Sequence, residues 1–387
     1  MSSQIITQCT LFDYYPNEDI GDLVRLKNAL QHLESDTLLD QMIQERGKGR
    51  NEYPIPTMFA IVVAQLVLQR ISVAEMRREL SGNPTLRKLV RLNDLDRQYK
   101  GIPIVPTPDA FTSFYDNLIR HQRQLDDMFA VMRDKVFWTI PGYGVYGAGD
   151  GKFFDSYTPN MHHGPIADDR RADHDSTYSI KQYTYTGSDG KPHTKKETHY
   201  GFRKHTIVDA LTELPLASIL TPANEDERLH MANLIIGLPN EILERMKELS
   251  LDRGYDSTDL LKMIRSYDII PVVDKRMMRK GAQLQRYKDT LFFYDDSGCV
   301  YYYDEEIEGD GINDDTGHPM QYARAKYVGY DKGRKCLRYS YGNKVQRFYI
   351  KDNERIFNEI ARDSKKFKRQ YNLRVDEHRK CAISLPF

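Results

Sequence analysis

Two carboxylates stand out by their neighbours. Asp150 lies in Gly147-Ala-Gly-Asp-Gly-Lys-Phe-Phe-Asp-Ser156, and Asp252 lies in Leu249-Ser-Leu-Asp-Arg-Gly-Tyr-Asp-Ser257. Gly-Asp-Gly by itself reads as a surface turn. Glycines on both sides of an acid, followed at once by Phe153 and Phe154, also let another group approach a strand closely. A carboxylate beside a buried strand is costly unless it is paired or holds a cation. Two such acids at strand ends, far apart in sequence, suit phosphoryl transfer with two Mg²⁺ or Mn²⁺ ions roughly 3.5–4 Å apart. Hard divalent cations take oxygen ligands, so Asp and Glu serve where His and Cys would not. A third acid is needed to complete the shell. The basic C-terminal segment is its natural place, since cations there would hold a phosphate backbone.

The elements that position these acids follow from periodicity. Residues 1–135 read as helices. Leu23 to Arg46 carries apolar residues at helical spacing. Thr57 is a candidate N-cap for Met58–Gln69, Ser72-Val-Ala-Glu75 is a capping box, and Asn83-Pro84 breaks the chain. Thr107-Pro108-Asp109 starts the run Ala110–Arg133. Such a set of helices is either a DNA-binding module or a bundle that packs or oligomerises. The glycine-rich stretch Pro141–Gly149 marks the switch to strands. After the Asp150 strand, residues 157–195 read as a long polar loop. Its histidines (His162, His163, His174, His193) lack ligand spacing. Strands are expected at His199–Asp209 and Leu214–Leu220, a helix at Asn224–Met246, a short strand at Leu249–Asp252, a helix at Ser257–Tyr267 and a strand at Ile269–Val273. This order is an α/β core with its active site where the acidic strand ends meet.

Residues 277–350 break the pattern with short aromatic strands such as Val300-Tyr-Tyr-Tyr303 and Val345-Gln-Arg-Phe-Tyr-Ile350, separated by Gly and Asp/Asn turns. The aromatic stripes are either a packed sheet face or a platform for bases. Asn353–Arg369 reads as a basic helix. Across all 387 residues Lys+Arg and Asp+Glu balance at 56 each, so no uniformly basic surface is expected. The charge is segregated, however: residues 295–315 hold nine acids and no Lys/Arg, and residues 362–380 hold eight Lys/Arg against three acids. Each run is either a solvated surface or, for the basic one, a phosphate-binding face. The longest apolar run, Met58–Leu68, is too short to span a bilayer. The absence of a secretory signal and the four scattered cysteines point to the cytosol, with neither a zinc site nor a disulfide framework suggested.

The motifs Gly149-Asp150-Gly-Lys-Phe-Phe-Asp-Ser156, His199-Tyr-Gly-Phe-Arg-Lys-His-Thr-Ile-Val-Asp209 and Leu251-Asp252-Arg-Gly-Tyr-Asp256 resemble the DDE transposases of bacterial insertion sequences. The resemblance runs from about residue 20 to Arg374 and is most specific at Asp252–Ser257. It implies an α/β fold in which a ribonuclease-H-like catalytic core is interrupted by a β-rich insertion and preceded by an all-helical N-terminal domain. The boundaries are 1–140 for the helical domain, 141–275 for the first part of the core, 276–350 for the insertion and 351–387 for the C-terminal helix. The implied activity is metal-dependent cleavage of double-stranded DNA at transposon ends and joining of the freed 3′-hydroxyl to a target. It further implies a homodimer, no membrane partner, and a cytoplasmic, nucleoid-associated location.

Asp150 and Asp252 then take the places of the first two acids. Members carry a tyrosine, two residues, an arginine, three residues and the catalytic glutamate on the last core helix. Here Tyr371-Asn-Leu-Arg374 matches the first half, but His378 stands where the glutamate is expected. Glu377 lies one residue early, about 100° around a helix. The expectation is a frameshift or truncation after Arg374, which the neighbouring reading frame past codon 374 would reveal. Glu377 is the candidate third catalytic and metal-binding acid, with Glu354 and Glu359 as substitutes. Lys365, Lys366, Lys368, Arg369, Tyr371 and Arg374 are candidate DNA contacts. A DNA-binding remnant without catalysis and a metal-dependent phosphodiesterase are the rival readings.

Overall fold

The computed structural model describes residues 20–21, 23–47, 52–92, 97–98, 101–156, 173, 175–186, 192–275, 284–309, 311–314 and 316–380, without the side chains of 183–186, 192 and 374–380. The chain forms two compact units, one ending at Thr139 and the other spanning Ile140–Lys380.

The first unit is helical throughout its described residues. Its helices are α1 (Leu23–His32), α2 (Asp36–Arg46), α3 (Ile55–Val67), α4 (Val73–Gly82), α5 (Pro84–Leu89), α6 (Pro108–Arg120) and α7 (Gln122–Thr139). Local chemistry sets several starts. Ser72 Oγ accepts from the Glu75 amide at 3.2 Å while Glu75 Oε2 accepts from the Ile71 amide at 2.8 Å, a reciprocal cap. Asn83 Oδ1 accepts from the Leu86 amide, with Pro84 at the first helical position. Thr107 caps α6 by accepting from Ala110. Thr57 is not a cap: α3 begins at Ile55, behind Pro54. The expected single runs Leu23–Arg46 and Ala110–Arg133 are each broken, at Leu33–Ser35 and at His121. Leu26, Leu39, Met42, Ile61, Met76, Leu80 and Phe111 fill the shared core.

The second unit is built on a six-stranded mixed sheet. Its strands are β1 (Tyr146–Asp155), β2 (Thr177–Thr186), β3 (Pro192–Asp209), β4 (Pro215–Pro222), β5 (Glu248–Leu251) and β6 (Ile270–Val273). The order is β2-β3-β1-β5-β6, with β4 also on β3. β1 pairs antiparallel with β3 and parallel with β5, and β5 pairs parallel with β6. β2 takes the first half of β3 and β4 the second, so they lie end to end along one edge. The helices α8 (Glu227–Ile236), α9 (Asn240–Arg245) and α10 (Thr258–Ser266) fall between strands. The expected single helix Asn224–Met246 is two, because Gly237-Leu-Pro239 separates them. Residues 177–186 and 192–201 are a hairpin rather than loop. His162, His163 and His174 lie outside the described residues.

The insertion comprises β7 (Gln285–Arg286), β8 (Phe292–Tyr294), β9 (Val300–Tyr303), β10 (Ile312–Asn313), β11 (His318–Pro319), β12 (Tyr322–Arg324), β13 (Lys326–Asp331), β14 (Cys336–Tyr341) and β15 (Lys344–Tyr349). They form antiparallel sheets β12-β9-β8-β7, β13-β14-β15 and β10-β11. Tyr287, Phe292, Tyr302, Tyr339 and Phe348 are buried in one cluster with Phe357. These aromatic stripes therefore include a packed face, which removes those rings as a base-stacking platform. Asp295, from the acidic run, is buried and accepts from Ser297, Cys299 and Tyr301, so it organises a turn.

The segment 353–364 is not helical, contrary to the reading of Asn353–Arg369. The last helix, α11, runs Lys365–Lys380. Tertiary hydrogen bonds fasten the segment instead. Arg362 donates to the carbonyls of Val273, Ile356 and Arg355, and Asn358 Nδ2 donates to the Pro271 carbonyl.

Gly149 faces Leu251 across the β1–β5 pair. A Cβ there would lie 2.5 Å from Leu251 Cδ2 and 2.9 Å from Met231 Cε. Gly149→Ala should lower stability by about 1–3 kcal/mol through overpacking, read as an earlier urea midpoint at unchanged slope. An unchanged midpoint would show that the two strands are not packed this closely.

Candidate active site

The register places the two acids side by side. Gly149 is opposite Leu251, the last pair of the parallel β1–β5 ladder, so the next residues, Asp150 and Asp252, are neighbours across strands about 4.8 Å apart; only Asp252 is at a strand end, since β1 continues past Asp150 to Asp155. Alternation puts Gly147, Gly149 and Gly151 on one face of the sheet. Cβ atoms built on these glycines meet Leu249, Leu251, Met231 and Tyr255. Asp150 is thus on the other face, as are Glu248 and Ser250 of β5 and Asp252 just past its end.

That face is where α11 packs. Lys366 Nζ pairs with Glu248 at 3.3 Å, the Ser250 hydroxyl donates to the Gln370 carbonyl at 3.4 Å, and the Tyr371 hydroxyl donates to Asp252 Oδ1 at 3.4 Å. Four helix residues rise about 6 Å and two strand residues about 6.6 Å. α11 therefore runs in step with β5 from Glu248 to Ser250, and the long Tyr371 side chain reaches on to Asp252. Phe367 and Tyr371 are stacked at 5.7 Å and anchor this face of the helix against Val272 and Ile360.

Each residue of the Asp252 motif has a distinct contact. Asp252 Oδ1 accepts from the Arg253 amide at 2.7 Å. Arg253 turns to Asp274, at the end of β6, with Nε 2.6 Å from Oδ2; the Arg253 guanidinium is raised above its usual range, Asp274 supplying the favourable charge against burial. Gly254 leaves room for Glu227, whose Oε1 would be 2.4 Å from a Cβ. Asp256, its side chain fully buried, receives two hydrogen bonds from Arg355 at 3.1 and 3.0 Å. Ser257 is the N-cap residue of α10.

Beneath the acids, on the Gly151 face, lies a buried polar cluster that spacing did not suggest. It holds Arg203, His205, Tyr255 and His230. Arg203 is ion-paired with Glu227, and His230 with Glu225. Arg203 Nε, His205 Nδ1 and the Tyr255 hydroxyl are buried with no hydrogen-bond partner among the described residues, and all three lie 3.0–3.4 Å from the point where a Gly151 Cβ would sit. Burial pushes the Tyr255 hydroxyl far up, and the negative charges of Glu227, Asp150 and Asp252 add to this. Burial, then the charges of Arg203 and His230, lower His205 to about 4.

The remaining candidates divide. Lys365, Lys366, Lys368 and Arg369 are exposed on α11, and Lys366 is paired with Glu248. Arg374 and Glu377 belong to α11, but their side chains lie outside the described residues. Glu359 is not at the site: it is ion-paired with Arg265 of α10 at 3.0 Å, and the Glu354 carbonyl accepts from the same arginine. Among the described residues no three His, Cys, Asp or Glu side chains form a metal-binding group. Asp150 and Asp252 supply two oxygen-donor side chains. That set fits a hard divalent cation whose shell is completed by water or phosphate.

Residues 166–325 match the family described as "Transposase DDE domain". The matched range holds β2 to β12 and Asp252, while Asp150 and α11 lie outside it. A Burkholderia cepacia protein described as a transposase for insertion sequence element IS402 is 35% identical over 91 residues, 22% of this chain and 43% of that protein. This chain is thus similar, over part of its length, to the DDE transposases of insertion sequences. The match spans less than half of the IS402 relative. The piggyBac transposase synaptic complex with hairpin DNA, a cryo-EM structure, aligns over 81% of this chain and 66% of its own, at 10% identity and a TM-score of 0.34, which carries no argument. No described helix is long and apolar enough to cross a membrane.

His205 gives the fold a pH dependence. Its folded value lies below the ordinary one, so the unfolded chain binds the extra proton first. Stability is full above about pH 6.5 and falls as pH drops towards about 4. His205→Gln should remove part of that fall, up to about 3 kcal/mol between pH 6.5 and 4, in urea titrations at each pH. Parallel curves for parent and variant would show that His205 is not held neutral.

Proposed function

We propose that this protein is a transposase that cleaves DNA at the ends of an insertion sequence and transfers the freed strand, with Asp150, Asp252 and Glu377 as its acids. The observation that carries the reading is the side-by-side placement of Asp150 and Asp252, within a chain similar over part of its length to DDE transposases. The strand order β4-β3-β1-β5-β6, with β3 antiparallel and β5 and β6 parallel to β1, supports a ribonuclease-H-like core that the β-rich insertion interrupts. Glu377 is proposed as third acid because it lies on α11, the helix that lies along β5 and reaches Asp252 through Tyr371. The proposed partner is double-stranded DNA, bound by a homodimer.

Asp150 and Asp252 would hold Mg²⁺ or Mn²⁺, which when bound activates the attacking oxygen and stabilises the leaving one. Tyr371 holds Asp252 Oδ1 by its hydroxyl, and the Arg253 amide donates to the same oxygen. The Arg253–Asp274 pair keeps a cation beside Asp252. Water attacks a phosphodiester, the P–O bond to the 3′-oxygen breaks, and that oxygen leaves as a 3′-hydroxyl. The same hydroxyl then attacks a phosphodiester of the target, releasing a second 3′-hydroxyl. Lys365, Lys368, Arg369 and Arg374 would hold phosphates along α11.

Asp150→Asn and Asp252→Asn should each reduce Mg²⁺- or Mn²⁺-dependent nicking of element-end DNA by at least about 10³-fold, the scale of losing a principal catalytic group, with DNA binding kept. Glu377→Gln should do the same. Parent-like cutting by either Asp variant would refute the site. Binding without cutting by the parent in Mn²⁺ would leave a DNA-binding remnant.

A further inference from the structure

We infer that the sheet face running outward from Asp150 is a docking track for the DNA strand next to the scissile phosphate; this deepens the proposed function and rests on it. Register fixes what the face carries. β1 contributes Lys152 and Phe154, and β3 contributes Thr206, Lys204, Phe202, Tyr200, Thr198 and Lys196. The hairpin partner β2 adds Tyr178 and Ile180. The Lys152 ammonium lies 5.8 Å from the Phe154 ring centre, and the Tyr178 and Tyr200 rings are 4.7 Å apart, which confirms that these neighbours share a side.

The two sides of the ribbon differ in charge. On the Asp150 side, β1 to β4 place Lys152, Lys204 and Lys196 and no carboxylate other than Asp150. The acids Asp155 and Glu197 fall on the opposite side by alternation. There Lys195 pairs with Glu197 at 2.6 Å, and a His199 ring nitrogen lies 3.2 Å from Asp155 Oδ1. The opposite side near β4 is also covered, since α8 packs on β3 and β4. The Asp150 side leaves Tyr178 37%, Ile180 65% and Leu220 58% exposed. A row of lysines alternating with aromatic rings suits a nucleic acid, a polyanion whose bases stack, and the proposed function makes that nucleic acid DNA. From Thr206 to Lys196 the track is about 33 Å long at 3.3 Å per residue. The lysines meet phosphates, and the Tyr178–Tyr200 pair takes an unpaired base.

Fluorescence anisotropy with labelled 40-nucleotide DNA of random sequence, single-stranded and duplex, tests this over a salt series. For Lys152→Ala/Lys204→Ala the slope of log affinity against log salt should be shallower by about 1.8 on duplex, about 0.9 per lost phosphate contact, with affinity down about tenfold. Tyr178→Ala/Tyr200→Ala should lose about tenfold on the single strand and little on duplex. Lys181→Ala/Lys195→Ala, on the opposite side, should match the parent. Equal losses from both sides, no loss from the Asp150 side, or no DNA binding by the parent would each overturn the track. All substituted positions are at the surface of the ribbon, and circular dichroism checks that each variant folds. If cleavage is absent while binding remains face-selective, the enzymatic reading fails and the track stands. If cleavage is intact and binding ignores the face, the reverse holds.

Discussion

The parallel contact between β1 and β5 is the constraint on which the second unit depends. It works because β1 presents glycines at 147 and 149 to Leu249 and Leu251. Side chains at those positions would hold the strands apart or displace Met231 and Met246. With glycines, the two strands close to sheet spacing and their next residues, both aspartates, come together. The hydrophobic contact on one face thus sets the position of charge on the other.

The second support is α11. It lies along β5 through Lys366, Gln370 and Tyr371, so the helix is tied to the strand that leads into Asp252. The Asp252 motif extends outward from that point. Arg253 reaches β6 through Asp274, and Asp256 reaches the 353–364 segment through Arg355. Removing a partner from a buried charge such as Asp256 is costly. The motif therefore ties the acid-bearing strand end to two neighbouring parts of the chain.

Much of this was legible in the sequence. Glycine flanking an acid before an aromatic pair, and an acid closing a short apolar strand, located Asp150 and Asp252. Periodicity gave the strand–helix order from His199 to Val273 because those strands and helices bury one face. The hairpin 177–201 was missed for the opposite reason. Thr177-Tyr-Ser-Ile-Lys-Gln-Tyr-Thr carries too few apolar residues to show a buried side, and its strands have solvent on much of both faces. The segment 353–364 misled because its order comes from Arg265, Arg362 and Asn358, long-range hydrogen bonds with no local signature. The Arg203–His205–Tyr255 cluster was hidden likewise. Its members lie on two elements that meet only after β1, β3 and the Asp252 motif have packed.

Asp150 and Asp252 are proposed to hold the same metal centre. Iron-directed hydroxyl-radical cleavage reads this from the polypeptide itself, with Fe²⁺ in place of Mg²⁺ and ascorbate as reductant. Cuts in the chain are expected near both Asp150 and Asp252, suppressed by added Mg²⁺ and lost together in Asp150→Asn and in Asp252→Asn. Cuts near one acid that persist when the other is replaced would contradict this shared centre.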